Sequence, residues 1–236
     1  MLIRGNEAEA IALTEALAAD RGVPGRLVLP ADPAAAGHLR EWVAGGTGGG
    51  LDVIGLDLGG AELAGGDFSS SWFMDARLVE VRLAGASFYR ADLQGADLTR
   101  ADLSGACLVR ANLDDAVLRD CVLAGADLAK ASLYGVDARG ASCRGTRFQG
   151  ASLLDVDLRG ADLRGAEVRE NTFQVRVDER TRLKGLTGSV FGPVEVTTAA
   201  GTHRLSGSAL EEWLHAHGAK VQVLQPAGTA PAPTDG

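Results

Sequence analysis

Residues 90–106 read RADLQGADLTRADLSGA and residues 159–168 read RGADLRGAEV. In both stretches a large apolar residue returns at every fifth position, a small residue stands two places before it, and a polar residue fills the gap between them. Followed outward, the large positions run from Val53 through Leu58, Leu63, Phe68, Phe73 and Leu78 to Leu163, Val168 and Phe173, twenty-five repeats in one register with no insertion. Only Ala138 and Cys143 shrink among the centres, and Phe148 restores the size. A helix of 3.6 residues per turn cannot keep a five-residue stripe on one face, and a strand of period two would send alternate centres to opposite faces. A chain that turns a corner every five residues satisfies the pattern, because each centre and its small partner then point inward.

Four such sides close a coil of about 20 residues, and successive coils stack at the inter-strand spacing of about 4.8 Å. Twenty-five repeats then make about six coils, a rod about 30 Å long. Its stability comes from nearest-neighbour stacking, as in other solenoids. The composition agrees with a narrow interior. Of 236 residues 32 are Gly, the apolar fraction is 46% and aromatics supply only 5%, so Ala, Leu and Val must fill the core.

Reading at period 20 turns the sequence into columns. Gly65, Gly85, Gly105, Gly125, Gly145 and Gly165 form one of them, and this all-glycine column predicts a tight, type II-like corner of positive φ. Ala138 and Cys143 predict a slightly narrow or underpacked turn over residues 136–143, with Val136 recovering some volume. Cys121 and Cys143 occupy inward positions and read as buried hydrophobes, whereas Cys107 points outward and is the candidate reactive thiol.

The repeats ADLQG, ADLTR, ADLSG, ANLDD, ADLAK and ADLRG resemble the pentapeptide-repeat family over residues 51–173. That resemblance implies an all-β solenoid core, a right-handed quadrilateral β-helix of about six coils, here with small α/β flanking modules. It also implies a function. Some bacterial members bind DNA gyrase or topoisomerase IV as acidic mimics of duplex DNA and protect it from fluoroquinolones, an antibiotic-resistance role. Those members carry projecting loops or a C-terminal dimerisation helix; this coil has no loop insertion.

The organisation expected from the sequence is an N-terminal helical and short-strand flank over residues 1–44, a Gly-rich linker over 45–50, the coil over 51–175, a C-terminal β-β-α-β module over 176–225 and a disordered tail over 226–236. The first flank holds a helix in NEAEAIALTEALAADRG, a short strand at Leu27 to Leu29 and a second helix in AAAGHLREWVAG. In the C-terminal module, strands are expected at Val194 to Val196, His203 to Leu205 and Lys220 to Leu224. The helix ALEEWLHAHG is expected to start from a capping box of Ser208 and Glu211 and to bury Trp213 and Leu214. A solenoid with open ends exposes strand edges, so both flanks are expected to cap it.

Charge bears on partners. The net charge is −8, and residues 51–173 carry 19 acids and 13 bases, which argues against direct binding to nucleic acid. The acids gather just before the centres, while Arg119, Arg139 and Arg159 share one column. The candidate partner-binding face comprises Asp57, Asp97, Asp137, Asp157, Asp102, Asp162, Arg119, Arg139 and Arg159. No catalytic, cofactor-binding or metal-binding residue is assigned. The four histidines lie outside the repeat, His215 and His217 fall on different faces of their helix, and the GGTGGG run lacks the Lys-Ser/Thr of a phosphate loop.

The chain therefore reads as a non-enzymatic, cytoplasmic interaction protein with a protein partner, no cofactor and no membrane association, and a homodimer is left open. Two functions stand side by side: an acidic DNA mimic acting on gyrase or topoisomerase IV, and a scaffold or adaptor that presents a rod face and its terminal modules to another protein.

Overall fold

In the computed structural model, residues 28–45 and 49–225 are described. The expected first helix, half of the Gly-rich linker and the C-terminal tail lie outside them. Parallel bridges join each polar position to its equivalent twenty residues on, from Asp52↔Trp72 through Asp97↔Val117 and Val117↔Asp137 to Asp162↔Arg182. The core is thus a β-helix-type solenoid in which bridges recur at twenty-residue spacing and a turn recurs every five residues.

Backbone bonds hold neighbouring coils together, among them one from each left-handed corner residue, as in Gly65 N to Ala84 O at 2.9 Å. The N–H of Val53 donates to Trp72 O at 3.0 Å and that of Trp72 donates to Leu51 O at 2.8 Å, and the same pair of bonds recurs along the rod. A further set closes the corners, where the small residue donates to the preceding centre, as in Ala61 N to Leu58 O at 3.0 Å and Ala106 N to Leu103 O at 3.0 Å. These are four-residue turns. Centres and small residues from Val53 to Phe173 are buried in one continuous apolar cluster.

Every side of the coil turns in the same way, which corrects the expectation of one special glycine corner. The Gly65 to Gly165 column has φ between 64° and 71° as expected, but Asp75, Arg100, Asp120 and Lys130 occupy the equivalent position of other sides at 54–60°. The left-handed second turn residue is a property of all corners. Val136, Ala138 and Cys143 are all buried.

Helix α1 (Pro33–Ala44) closes the N-terminal end of the coil. It starts where Asp32 Oδ1 accepts from Ala34 N at 2.8 Å and Pro33 takes the first turn. Its buried face is Ala35, Ala36, Leu39, Trp42 and Val43. Trp42 stacks on Phe68 at 5.2 Å, and Phe68 meets Phe73 and Phe88 at 5.7 and 5.4 Å. The few aromatics of the chain are thus concentrated where helix meets coil. Ahead of the helix, Val28 makes an antiparallel bridge to Glu62.

At the other end the structure departs from the expected boundary. Strands β1 (Ser152–Asp157) and β2 (Glu167–Asp178) are longer than a coil side, and β2 runs across residues 175 and 176. The reason is local: Phe173, Val175 and Val177 alternate with polar residues, so the chain stays extended instead of turning. Asp157 consequently pairs with Arg176, nineteen residues on, and Asp162 with Arg182, twenty on, so the coil loses one residue and then regains it. Leu183 and Leu186 return to the core. The strands that follow share one sheet with β2.

Strand β3 (Thr187–Phe191) was not foreseen. It pairs with β2, where Gly188 at φ 121° leaves no room for a side chain: a Cβ there would sit 1.5 Å from Val168 O. Strands β4 (Val194–Thr198) and β5 (Gly201–Leu205), helix α2 (Gly207–Ala216) and β6 (Lys220–Val223) follow, giving the expected β-β-α-β order and a sheet ordered β5-β4-β2-β3-β6. The capping box is absent. Ser206, not Ser208, stands at the helix N-terminus, and Glu211 Oε2 instead accepts from Val223 N at 2.8 Å, tying α2 to β6. Leu214 is buried, while Trp213 is only partly covered and stacks on His217 at 4.1 Å.

Candidate functional site

The acidic residue that precedes each centre has a local task. Its side-chain oxygen accepts from the backbone N–H two residues on: Asp97 from Thr99 at 3.0 Å, Asp102 from Ser104 at 3.0 Å, Asp127 from Ala129 at 3.0 Å and Asn112 from Asp114 at 3.1 Å. That N–H belongs to the first turn residue, so Asp or Asn satisfies a donor that the corner would otherwise leave to water. Where Thr or Ser follows, its hydroxyl donates to the same oxygen, at 2.6 Å for Thr99 and 2.5 Å for Ser104.

Where Arg follows, the corner becomes an ion pair. Arg139 donates to Asp137 through Nε at 2.8 Å and Nη2 at 2.7 Å, Arg159 to Asp157 at 2.9 and 2.5 Å, and Arg164 to Asp162 at 2.8 and 2.6 Å. Arg119 reaches Asp137 from the preceding coil at 2.6 Å. The carboxylates lie low and the guanidiniums lie above them: the Asp137 and Asp157 side chains are 21% and 7% exposed, against 50%, 42% and 37% for Arg119, Arg139 and Arg159.

The carboxylates respond to this company. The hydrogen bond from Arg139 holds Asp137 well below the usual carboxylate range, against partial burial and with help from Arg119. Arg164 brings Asp162 down to about 2. For Asp157 and Asp178 burial pushes upward, but bonds from Arg159 in the first case, and from Gly160 N–H, Thr181 and Arg180 in the second, outweigh it and lower both. All four are charged at neutral pH.

Of the nine residues of the expected face, the structure brings together Asp137, Asp157, Arg119, Arg139 and Arg159. Asp97 lies in the column of Asp137 but two stacking steps away, with Val117 between. Asp57 is farther along the same column, paired with Arg77 at 2.8 Å. Asp102 and Asp162 belong to the next side of the coil, where Arg182 also approaches Asp162, at 3.6 Å. The nine are thus spread over two neighbouring sides and along the length of the coil.

Above the assembled group lies an open groove of about 750 Å³, lined by Arg119, Asp120, Arg139, Gly140, Arg159, Gly160, Glu179, Arg180 and Arg182. Gly140, Gly160, Asp120 and the segment 178–182 were not among the expected residues. The Asp-x-Arg spacing of 137/139, 157/159, 162/164 and 178/180 carried the signal for the pairs. The register change after Phe173 hid the last of them from any count in fives.

Burial pushes the Cys143 thiol up to about 12 and the Cys121 thiol further still, while Cys107 is half-buried. Among the described residues no group of His, Cys, Asp and Glu is arranged to hold a metal ion, and no helix is long and apolar enough to cross a membrane.

Comparison with known proteins finds the family of pentapeptide repeats, in eight copies over residues 76–115, 106–142 and 141–170. Comparison with curated proteins finds no match. Among solved structures the chain is similar to HetL, a pentapeptide repeat protein involved in heterocyst differentiation regulation from the cyanobacterium Nostoc sp. strain PCC 7120, at 22% identity, covering 79% of this chain and 90% of that one with a TM-score of 0.49. A pentapeptide repeat protein from the Arabidopsis thaliana thylakoid lumen is 38% identical over 40% of this chain and 66% of its own, with a TM-score of 0.39. A trypsin-treated form of QnrB1, a plasmid-mediated fluoroquinolone resistance protein, is 16% identical over 75% of this chain and 91% of its own, with a TM-score of 0.45. The eight matched copies lie on the stacked coil, so residues 76–170 are a region of pentapeptide repeats.

Proposed function

We propose that this chain is a non-enzymatic interaction protein, a scaffold or adaptor whose rod presents a charged face and its terminal modules to a protein partner. The observation that carries this reading is how the carboxylates are used. Asp137, Asp157 and Asp162 are consumed by corner capping and by bidentate arginines, so their face is a fixed mosaic of both signs, suited to a complementary protein surface. Charge mosaics of this kind give specificity and orientation more than bulk affinity. The side chains with the most shifted proton affinities are these paired carboxylates and two buried thiols, none of them set against a nucleophile and base. The finer shape consistent with this role is a right-handed quadrilateral rod of about six coils, working in the cytoplasm, without cofactor.

A second reading, mimicry of duplex DNA toward gyrase or topoisomerase IV, is favoured by the N-terminal part of the face. There Asp97 and Asp102 bond to Thr99 and Ser104, not to arginine. Gyrase supercoiling with purified protein separates the two. The scaffold reading expects supercoiling to be unchanged, with a defined partner retained by the full chain and released on substituting Arg139→Glu. Inhibition or drug rescue of gyrase that disappears with Asp97→Lys and Asp102→Lys would replace it with mimicry.

A further inference from the structure

We propose that the groove over Arg119, Arg139 and Arg159 is a binding site for a short oligophosphate, free or carried on a nucleoside. The three arginines stand one per coil at twenty-residue spacing, a ladder about 10 Å long at the usual strand separation. Linked phosphoryl groups are closer together than the rungs, so the outer oxygens of a short oligophosphate can be shared between neighbouring arginines of the ladder. The guanidinium fork matches phosphate oxygens, and each arginine here is already oriented. Arg139 and Arg159 spend Nε and Nη2 on the carboxylates beneath them, which directs the rest of each guanidinium outward. Ordering these side chains in advance removes part of the entropic cost of binding.

The depth of the groove comes from glycine. Gly140 and Gly160 both sit in the left-handed corner position, at φ 71° and 73°; beside Gly160 lies only Gly140 backbone, while the Asp120 carboxylate lies over Gly140 at one edge of the groove. Arg180 and Arg182 stand at one end, 82% and 65% exposed, each with one side against a carboxylate, Asp178 at 3.2 Å and Asp162 at 3.6 Å. The volume, about 750 Å³, lies within the range of small-molecule sites.

The length of the ladder argues against a polymer. The arginine column gives way to Thr99 on one side and Glu179 on the other, so a long polyanion would leave the groove onto neutral and acidic surface. With a chain net charge of −8, the rest of the rod repels it. A ligand with a compact, multiply charged segment gains the arginines without meeting that repulsion.

The test is calorimetric titration of the full chain with inorganic triphosphate, ATP and sulfate at matched ionic strength. Triphosphate is expected to saturate one site, with sulfate far weaker. Equal affinity for ATP assigns recognition to the phosphate chain, and tighter ATP adds a contact to the nucleoside; either outcome supports the site. R139Q should weaken triphosphate about tenfold, the loss of one charge-assisted fork. Because Arg139 also caps a corner, the R180Q/R182Q double variant, at exposed positions, provides a second reading and should weaken binding several-fold. R100Q, paired with Glu80 outside the groove, should leave it unchanged. Absence of saturable binding at millimolar triphosphate, affinity unaltered in both groove variants, or tighter binding of a short DNA duplex or a Glu-rich peptide would overturn the proposal.

Discussion

Asn171→Ala should cost this protein about 2–3 kcal/mol. Asn171 occupies the slot that alanine fills in most repeats and is fully buried. Its Nδ2 donates to Phe148 O and, at 2.8 Å, to Ala151 O, and its Oδ1 accepts from Arg169 N at 2.6 Å. The last bond explains why asparagine stands here. Arg169 N is the corner donor that an Asp two residues earlier satisfies elsewhere, but position 167 is Glu and its chain is one methylene longer. Asn171 replaces the missing cap from the other side of the turn. Alanine fits the slot without overpacking, so the loss is that of three hydrogen bonds at about 1 kcal/mol each. It is offset in part because Phe148 O keeps the bond from Ala151 N at 2.9 Å.

For a chain of this size the loss corresponds to a melting shift of about 4–12 °C. Urea and thermal unfolding followed by circular dichroism measure the global effect, and amide exchange at Arg169 reads the local one. Restoring the cap with Glu167→Asp in the Asn171→Ala background should recover about 1 kcal/mol and slow exchange at Arg169 again. A stability change below about 0.5 kcal/mol, or exchange at Arg169 indistinguishable from wild type, would refute the reasoning.

Acid should weaken the C-terminal half of the coil first. Asp137, Asp157, Asp162 and Asp178 all have folded proton affinities lowered below their unfolded ones. Their contribution is therefore complete above about pH 4 and lost as pH falls toward the folded values, through about 2 for Asp162. Urea midpoints between pH 6 and pH 2 check this, and a flat profile below pH 4 contradicts it. Thiol titration of the native protein with Ellman's reagent at pH 8 should modify Cys107 and spare Cys121 and Cys143, which react only on unfolding. Two glycine substitutions should separate backbone strain from steric overlap. Gly105→Ala, whose added Cβ meets only open space, should cost about 1 kcal/mol for its left-handed φ. Gly188→Ala, forced onto Val168 O, should cost more than about 3 kcal/mol and expose β3 amides to exchange. Comparable melting shifts for the two would contradict the assignment of β3.

The stretch RADLQGADLTRADLSGA and its neighbours determined the coil by themselves, because a period of five is compatible with no helix and no flat strand. Burial of the centres from Val53 to Phe173 follows from that period, as does the inward position of Cys121 and Cys143. Helix α1 was legible in AAAGHLREWVAG, and the β-β-α-β order in the short strands around ALEEWLHAHG. Tertiary structure decided what local pattern could not. The alternation Phe173-x-Val175-x-Val177 carries β2 past the expected boundary, and the turn that follows it brings Glu179, Arg180 and Arg182 to the groove. Strand β3 exists because β2 and β6 offer it edges, with Gly188 allowing the approach. The spread of the expected partner-binding face has a related reason: sequence shows that Asp and Arg recur, but only stacking at twenty residues determines which arginine lies over which carboxylate. That spatial pairing, set by corner geometry and hydrogen-bond reach, turns a row of acids into a floor of buried carboxylates beneath a ladder of guanidiniums.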